Sequence, residues 1–107
     1  MLWGHRNNYQ AFGLGLEDFD KLLPEILKSM RDDDLLIITA DHGCDPTIES
    51  STDHTREYVP LLVYARNLNG QRSLGIRETF ADVGQTICRN FDLDSMKYGK
   101  GFLDELA

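Results

Sequence analysis

The sequence predicts an α/β protein built on parallel strands, and three observations carry that expectation. The run Leu35-Leu36-Ile37-Ile38 is continuously apolar, with no alternation. Such a run suits a strand buried on both faces of a parallel sheet, here over 35–40. A second apolar run, Val59 to Ala65, predicts a strand over 60–65, which Pro60 can open because its missing donor costs nothing there. Stretches with helical spacing flank these strands, and alternation of helix and strand implies βαβ-type organisation.

The first helix is expected over 9–31. Tyr9, Phe12, Leu16, Phe19, Leu23, Ile26, Leu27 and Met30 recur at three- and four-residue steps. Pro24 lies inside it and should kink or split it, and Gly13 and Gly15 weaken its first turns. Arg31 to Asp34 is the polar turn before the first strand. After the second strand, Asn67 to Ser73 is turn-rich. Thr79-Phe80-Ala81-Asp82 then reads as a capping-box variant opening a helix over 79–91. Its buried stripe is expected to be Phe80, Val83, Ile87 and Phe91. The tail from Asp92 is punctuated by glycine and receives no element. No repeat or low-complexity segment is present.

With 107 residues the chain is at most one small domain. Its 41% hydrophobic and 27% charged residues are those of a globular protein. A net charge of −7 argues against a nucleic-acid or anionic-membrane binder, which needs a basic face. Cys44 and Cys88 are too few for a disulfide framework and read as free thiols of a cytoplasmic protein. No apolar stretch approaches the ~18 residues of a spanning helix, and the start is no signal peptide. Two strands of the doubly buried type need neighbours that this chain does not offer, since a two-stranded sheet is marginal alone. The chain therefore reads as a piece of a larger α/β domain, expected to self-associate through its open, apolar sheet edge.

Chemistry concentrates in the loop 41–57. Two of the three histidines lie there beside carboxylates, as Asp41-His42 and Asp53-His54. The first pair follows directly on the first strand, and open α/β sheets place ligands at the carboxyl ends of strands. Imidazole with carboxylate in a polar, glycine-containing loop suits a divalent metal ion, while an ordinary surface loop rich in Asp, Thr and Ser remains the alternative. Cys44 reads as a small loop residue rather than a thiolate ligand.

Taken together, Leu36-Ile37-Ile38-Thr39-Ala40-Asp41-His42-Gly43-Cys44-Asp45-Pro46-Thr47, the run from Thr52-Asp53-His54-Thr55-Arg56-Glu57 to Leu62, and the run from Ser73 to Thr86 resemble the phosphopentomutase family. This is the bacterial, manganese-dependent type within the alkaline phosphatase superfamily. Trp3-Gly4-His5-Arg6 and Tyr98-Gly99-Lys100-Gly101-Phe102 resemble the same family. The likeness covers essentially the whole chain and corresponds to the C-terminal part of a much longer one. Related phosphoglycerate mutases share only the shorter Ala-Asp-His-Gly core.

The resemblance implies an alkaline-phosphatase-like core with mostly parallel strands flanked by helices. The cap domain and the N-terminal part of the core would lie outside residues 1–107. It implies two Mn2+ ions, with Asp41 and His42 ligating one and His5 and His54 the other. Arg56 and Glu57 would support the loop, and Thr52 and Asp53 would form turns. The implied reaction interconverts (deoxy)ribose 1-phosphate and 5-phosphate through a phosphothreonine. That threonine and the remaining aspartate ligands would lie elsewhere, so no residue here is nominated as catalytic. The chain alone is expected to bind metal weakly and to be inactive. Alternatives are another metal-dependent phosphatase or phosphoglycerate-mutase-like enzyme, or a non-catalytic metal-binding fragment.

Overall fold

The computed structural model describes residues 8–47 and 56–106, which fall into two compact units divided after Arg66. The first unit contains helix α1 (Tyr9–Ser29) and strands β1 (Leu36–Thr39) and β2 (Leu61–Tyr64). The second contains helix α2 (Ala81–Asn90) and a 3-10 turn (Leu103–Leu106). All four expected elements are present, each one or two residues shorter at one or both ends. The 3-10 turn lies in the tail to which the sequence assigned nothing.

Asn8 starts α1: its side-chain oxygen accepts the Ala11 N–H at 3.1 Å, satisfying one of the helix's orphan donors. The helix ends at Met30, which turns extended with ψ 143° and sends its N–H to the Leu27 carbonyl. Beyond it the Asp34 carboxylate accepts the Arg31 N–H at 2.8 Å and closes the acidic turn. Arg66, two residues past β2, donates to the Leu27 and Lys28 carbonyls, both at 3.1 Å. A cation at a helix C-terminus satisfies the last carbonyls and opposes the dipole. Pro24 sits inside α1 without dividing it into two elements. The apolar stripe is only partly covered. Met30 is buried and Phe12, Leu23 and Leu27 are half-buried, while Tyr9, Leu16, Phe19 and Ile26 are exposed.

The two strands pair antiparallel, where parallel strands were expected. Leu36 faces Tyr64 and Thr39 faces Leu61. A parallel pair needs a crossover, usually a helix, and the described residues between β1 and β2 form none. Exposure along β2 alternates, with Leu61 and Val63 half-buried and Leu62 and Tyr64 exposed. That period of two belongs to a strand with one wet face, and it corrects the expectation of burial on both.

In the second unit α2 presents its polar side inward. Asp82 and Thr86 are buried, and with them Phe102 of the tail. The expected stripe is reversed: Phe80, Ile87 and Phe91 are exposed, and only Val83 is half-buried. The capping box does not form either. The Thr79 hydroxyl oxygen accepts the Ala81 N–H at 3.2 Å, but the Asp82 carboxylate turns away to other partners. Asp82 accepts from Arg77 Nε at 2.7 Å and from the Lys100 N–H at 2.9 Å. Thr86 donates its hydroxyl to the Asp82 carbonyl at 2.8 Å and accepts the Phe102 N–H at 2.9 Å. Gln85 holds the tail further along, donating to the Met96 and Tyr98 carbonyls. Gly99, at φ +92°, brings the tail close enough that a Cβ would stand 2.5 Å from the Ala81 carbonyl. No described helix is long and apolar enough to cross a membrane.

Candidate metal centre

Asp41 and His42 follow β1 after the single residue Ala40, at the strand's carboxyl end as the sequence predicts. The His42 ring is 19% exposed and the Asp41 carboxylate 78%, so one ligand candidate is held in the protein and the other reaches into solvent. His42 Nδ1 lies 2.8 Å from the Gly43 carbonyl. A carbonyl can only accept, so Nδ1 carries the hydrogen and the ring's orientation is set by its own loop. Nε2 then faces Asp41 Oδ1 at 3.6 Å. A neutral ring therefore aims its electron pair toward the same small volume as the carboxylate. A proton on the ring or a shared cation satisfies both atoms. Backbone fixing of the second imidazole nitrogen is also the usual support of a metal-ligating histidine.

The loop continues into a local turn that the sequence analysis did not single out. Asp45 Oδ1 accepts the Thr47 hydroxyl at 2.6 Å and the Thr47 N–H at 2.9 Å, with buried Pro46 between them. These bonds, the hydroxyl's first, hold the Asp45 carboxyl below its ordinary value, with burial opposing only weakly. The signal was available in the Asp-Pro-Thr order, since Asp side chains bond the backbone two residues on. With Oδ1 so engaged, Asp45 organises the loop between Cys44 and Thr47. Arg56 and Glu57 are exposed.

The other two expected ligands, His5 and His54, lie outside the described residues, as do Thr52 and Asp53. Their approach to Asp41 and His42 is thus not part of the observed geometry. Among the described residues no group of three or more His, Cys, Asp or Glu side chains is placed to hold a metal ion. Asp41 and His42 form a two-ligand cluster, one oxygen and one nitrogen donor. That donor set suits a borderline divalent ion but falls short of the four or more ligands that bind one firmly.

A profile of the metalloenzyme superfamily matches residues 2–95. The chain belongs to the metalloenzyme superfamily. Within this superfamily it is similar over its whole length to phosphopentomutases. The one from Clostridium novyi (strain NT) is 55% identical over 107 residues, which is 100% of this chain and 27% of the relative. The one from Desulfitobacterium hafniense (strain DCB-2) is 55% identical and that from Kosmotoga olearia 56%, each over 99% of this chain and 27% of the relative. The chain thus spans about a quarter of the length of the curated relatives it matches. Membership in a metalloenzyme superfamily implies a metal cofactor.

Proposed function

We propose that this chain supplies part of the metal centre of a phosphopentomutase, which interconverts (deoxy)ribose 1-phosphate and 5-phosphate. The observation that carries this reading is the convergence of His42 Nε2 and Asp41 Oδ1, 3.6 Å apart, directly beyond the end of β1. The identity with named phosphopentomutases supports the choice of substrate, a sugar phosphate.

Asp41 and His42 would hold one Mn2+ ion, and His5 and His54 would contribute to a second. When bound, such a pair of ions supplies Lewis-acid stabilisation to a transferring phosphoryl group and lowers the pKa of a coordinated hydroxyl. The chain's own residues have narrower tasks. Gly43 accepts the Nδ1 hydrogen and so, in the neutral ring, leaves the electron pair on Nε2, the atom that would face the ion. Asp41 brings negative charge, which His42 leaves undiminished as a neutral ligand. Asp45 and Thr47 fix the backbone just after Cys44. The threonine that carries the phosphoryl group and the remaining carboxylate ligands would lie outside this chain. Alone it should therefore not turn over ribose 1-phosphate, because a partial metal centre cannot supply the preorganised field that the transfer needs.

Paramagnetic broadening tests the reading directly. Titrating Mn2+ into the chain should broaden the His42 ring resonances first, and Asp41→Asn should shift that broadening to higher Mn2+. No broadening of His42 at millimolar Mn2+, or broadening of His42 that Asp41→Asn leaves unchanged, would remove the basis for the site. Turnover of ribose 1-phosphate by the chain alone, in material shown free of host mutase, would contradict the assignment of the nucleophile elsewhere.

A further inference from the structure

We propose that the outer face of α2 is a docking surface for the remainder of a phosphopentomutase chain, the portion of the relatives that these residues do not match. This rests on the reading of the chain as part of such an enzyme.

The argument starts from the polarity of the helix, which is inverted. A surface helix turns its apolar stripe to the core and its polar side to water. Here Phe80 at the N-cap with Ile87 and Phe91 share one face at 3.6 residues per turn, and they are 58%, 45% and 67% exposed. On the opposite side Asp82 and Thr86 are buried and fully engaged with Arg77, Lys100 and Phe102. The inward side cannot be exchanged for the outward one, because a carboxylate stays buried only while it is paired. The apolar face is therefore fixed outward by bonds within its own unit. It is also free of charge in a chain of net −7: Asp82 is turned inside, and Arg89, on the polar side, is paired with Asp104. A neutral aromatic and aliphatic strip of this kind fits an apolar sheet or helix face and not a phosphate, a nucleic acid or a solvated carboxylate surface.

The relatives supply the occupant. They match this whole chain within 27% of their length, so in them the matched segment belongs to a polypeptide with a much larger remainder that could cover this face. A second copy would set one chain of net −7 against another of the same charge, a long-range repulsion which that body need not add.

The test uses the Clostridium novyi relative with the matched segment removed, mixed with this chain. A one-to-one complex is expected. Ile87→Glu and Phe91→Glu should each weaken it about 30-fold or more, and Arg89→Gln by no more than about threefold. The intact relative should not bind, because its own segment occupies the surface. Binding of the intact relative, or indifference to both Glu substitutions, would overturn the proposal. So would a homodimer through Ile87 and Phe91 that the truncated relative fails to displace. If the truncated relative does not fold, a chimera carrying this chain in place of the relative's own segment answers the same question. There Ile87→Glu should lower the melting temperature by about 5 °C or more beyond Arg89→Gln, and equal shifts would refute docking. Turnover of ribose 1-phosphate is read separately: a complex or folded chimera without it counts against the proposed function and leaves the docking surface standing.

Discussion

Arg77 and Asp82 meet at 2.7 Å between Nε and Oδ2, and the same two side chains hold Lys100 from both sides. The acid takes the Lys100 N–H at 2.9 Å, and Arg77 Nη2 donates to the Lys100 carbonyl at 3.0 Å. Arg77 also reaches the Leu74 carbonyl and Glu105, and its guanidinium lies 5.5 Å from the centre of the Phe102 ring. Nearly every bond that fastens the tail to α2 passes through this pair or through Thr86 and Gln85.

Removing the base should cost more than neutralising the acid. Arg77→Ala leaves the Asp82 carboxylate buried with only the Lys100 N–H, and loss of one member of a buried pair costs about 3 kcal/mol. Asp82→Asn keeps an oxygen for the Lys100 N–H and leaves Arg77 its Glu105 partner, so about 1–2 kcal/mol is expected. Urea titrations of the two variants check the order, and equal losses would show that the pair contributes no more than its hydrogen bonds.

The same acid gives the chain a defined response to pH. Burial opposes the charge on Asp82, but the Lys100 N–H and Arg77 outweigh it and hold the carboxyl below its ordinary 3.8. A depressed folded pKa means that the charged form is the stabilised one. Its contribution is complete above the ordinary value and drains away as pH falls through the folded one. Unfolding free energy measured from pH 6 down to pH 2 should therefore drop steeply at the acid end. In Asp82→Asn that acid limb should be flatter, and an unchanged limb would assign the acid sensitivity to other carboxylates.

Gly99→Ala should destabilise the second unit by at least about 1–3 kcal/mol, the cost of forcing a side chain into a left-handed backbone position. The added Cβ would also meet the Ala81 carbonyl carbon and oxygen, each at 2.5 Å, and backbone cannot step aside as a flexible side chain can. Gly70→Ala, at φ +74° but with nothing within 4 Å, is the control that isolates backbone strain from collision. Thermal melts should rank Gly99→Ala well below Gly70→Ala.

Metal affinity should be weak and should depend on both members of the cluster. Calorimetry with Mn2+ is expected to give a dissociation constant above micromolar, with His42→Ala and Asp41→Ala each reducing affinity about tenfold or more. A submicromolar site on the chain alone would mean that further ligands converge with Asp41 and His42.

The elements were legible because each is written locally. The spacing from Tyr9 to Met30 marks α1, and the apolar runs mark β1 and β2 to within a residue or two. Placement of Asp41 and His42 after β1 followed from the same reading. Strand direction was not legible, since Leu35 to Ile38 reads alike beside a parallel or an antiparallel neighbour. The inward face of α2 was misjudged for a physical reason. Hydrophobic spacing selected Phe80, Ile87 and Phe91, but Arg77, Lys100 and Phe102 satisfy Asp82 and Thr86, and no single stretch of sequence announces a network spread over 26 positions. The turn at Asp45 and Thr47 needed only local chemistry and was within reach.

Arg66 makes the end of α1 a gauge for the alignment of the strands. A slip of one residue moves a strand by about 3.3 Å, roughly the whole length of the bonds that Arg66 makes to the Leu27 and Lys28 carbonyls. Any misaligned pairing of β1 with β2 would thus forfeit both bonds at once, besides turning Leu61 and Val63 over to the wet side. Because Asp41 and His42 leave the sheet two and three residues past Thr39, the helix terminus that Arg66 caps calibrates where they emerge.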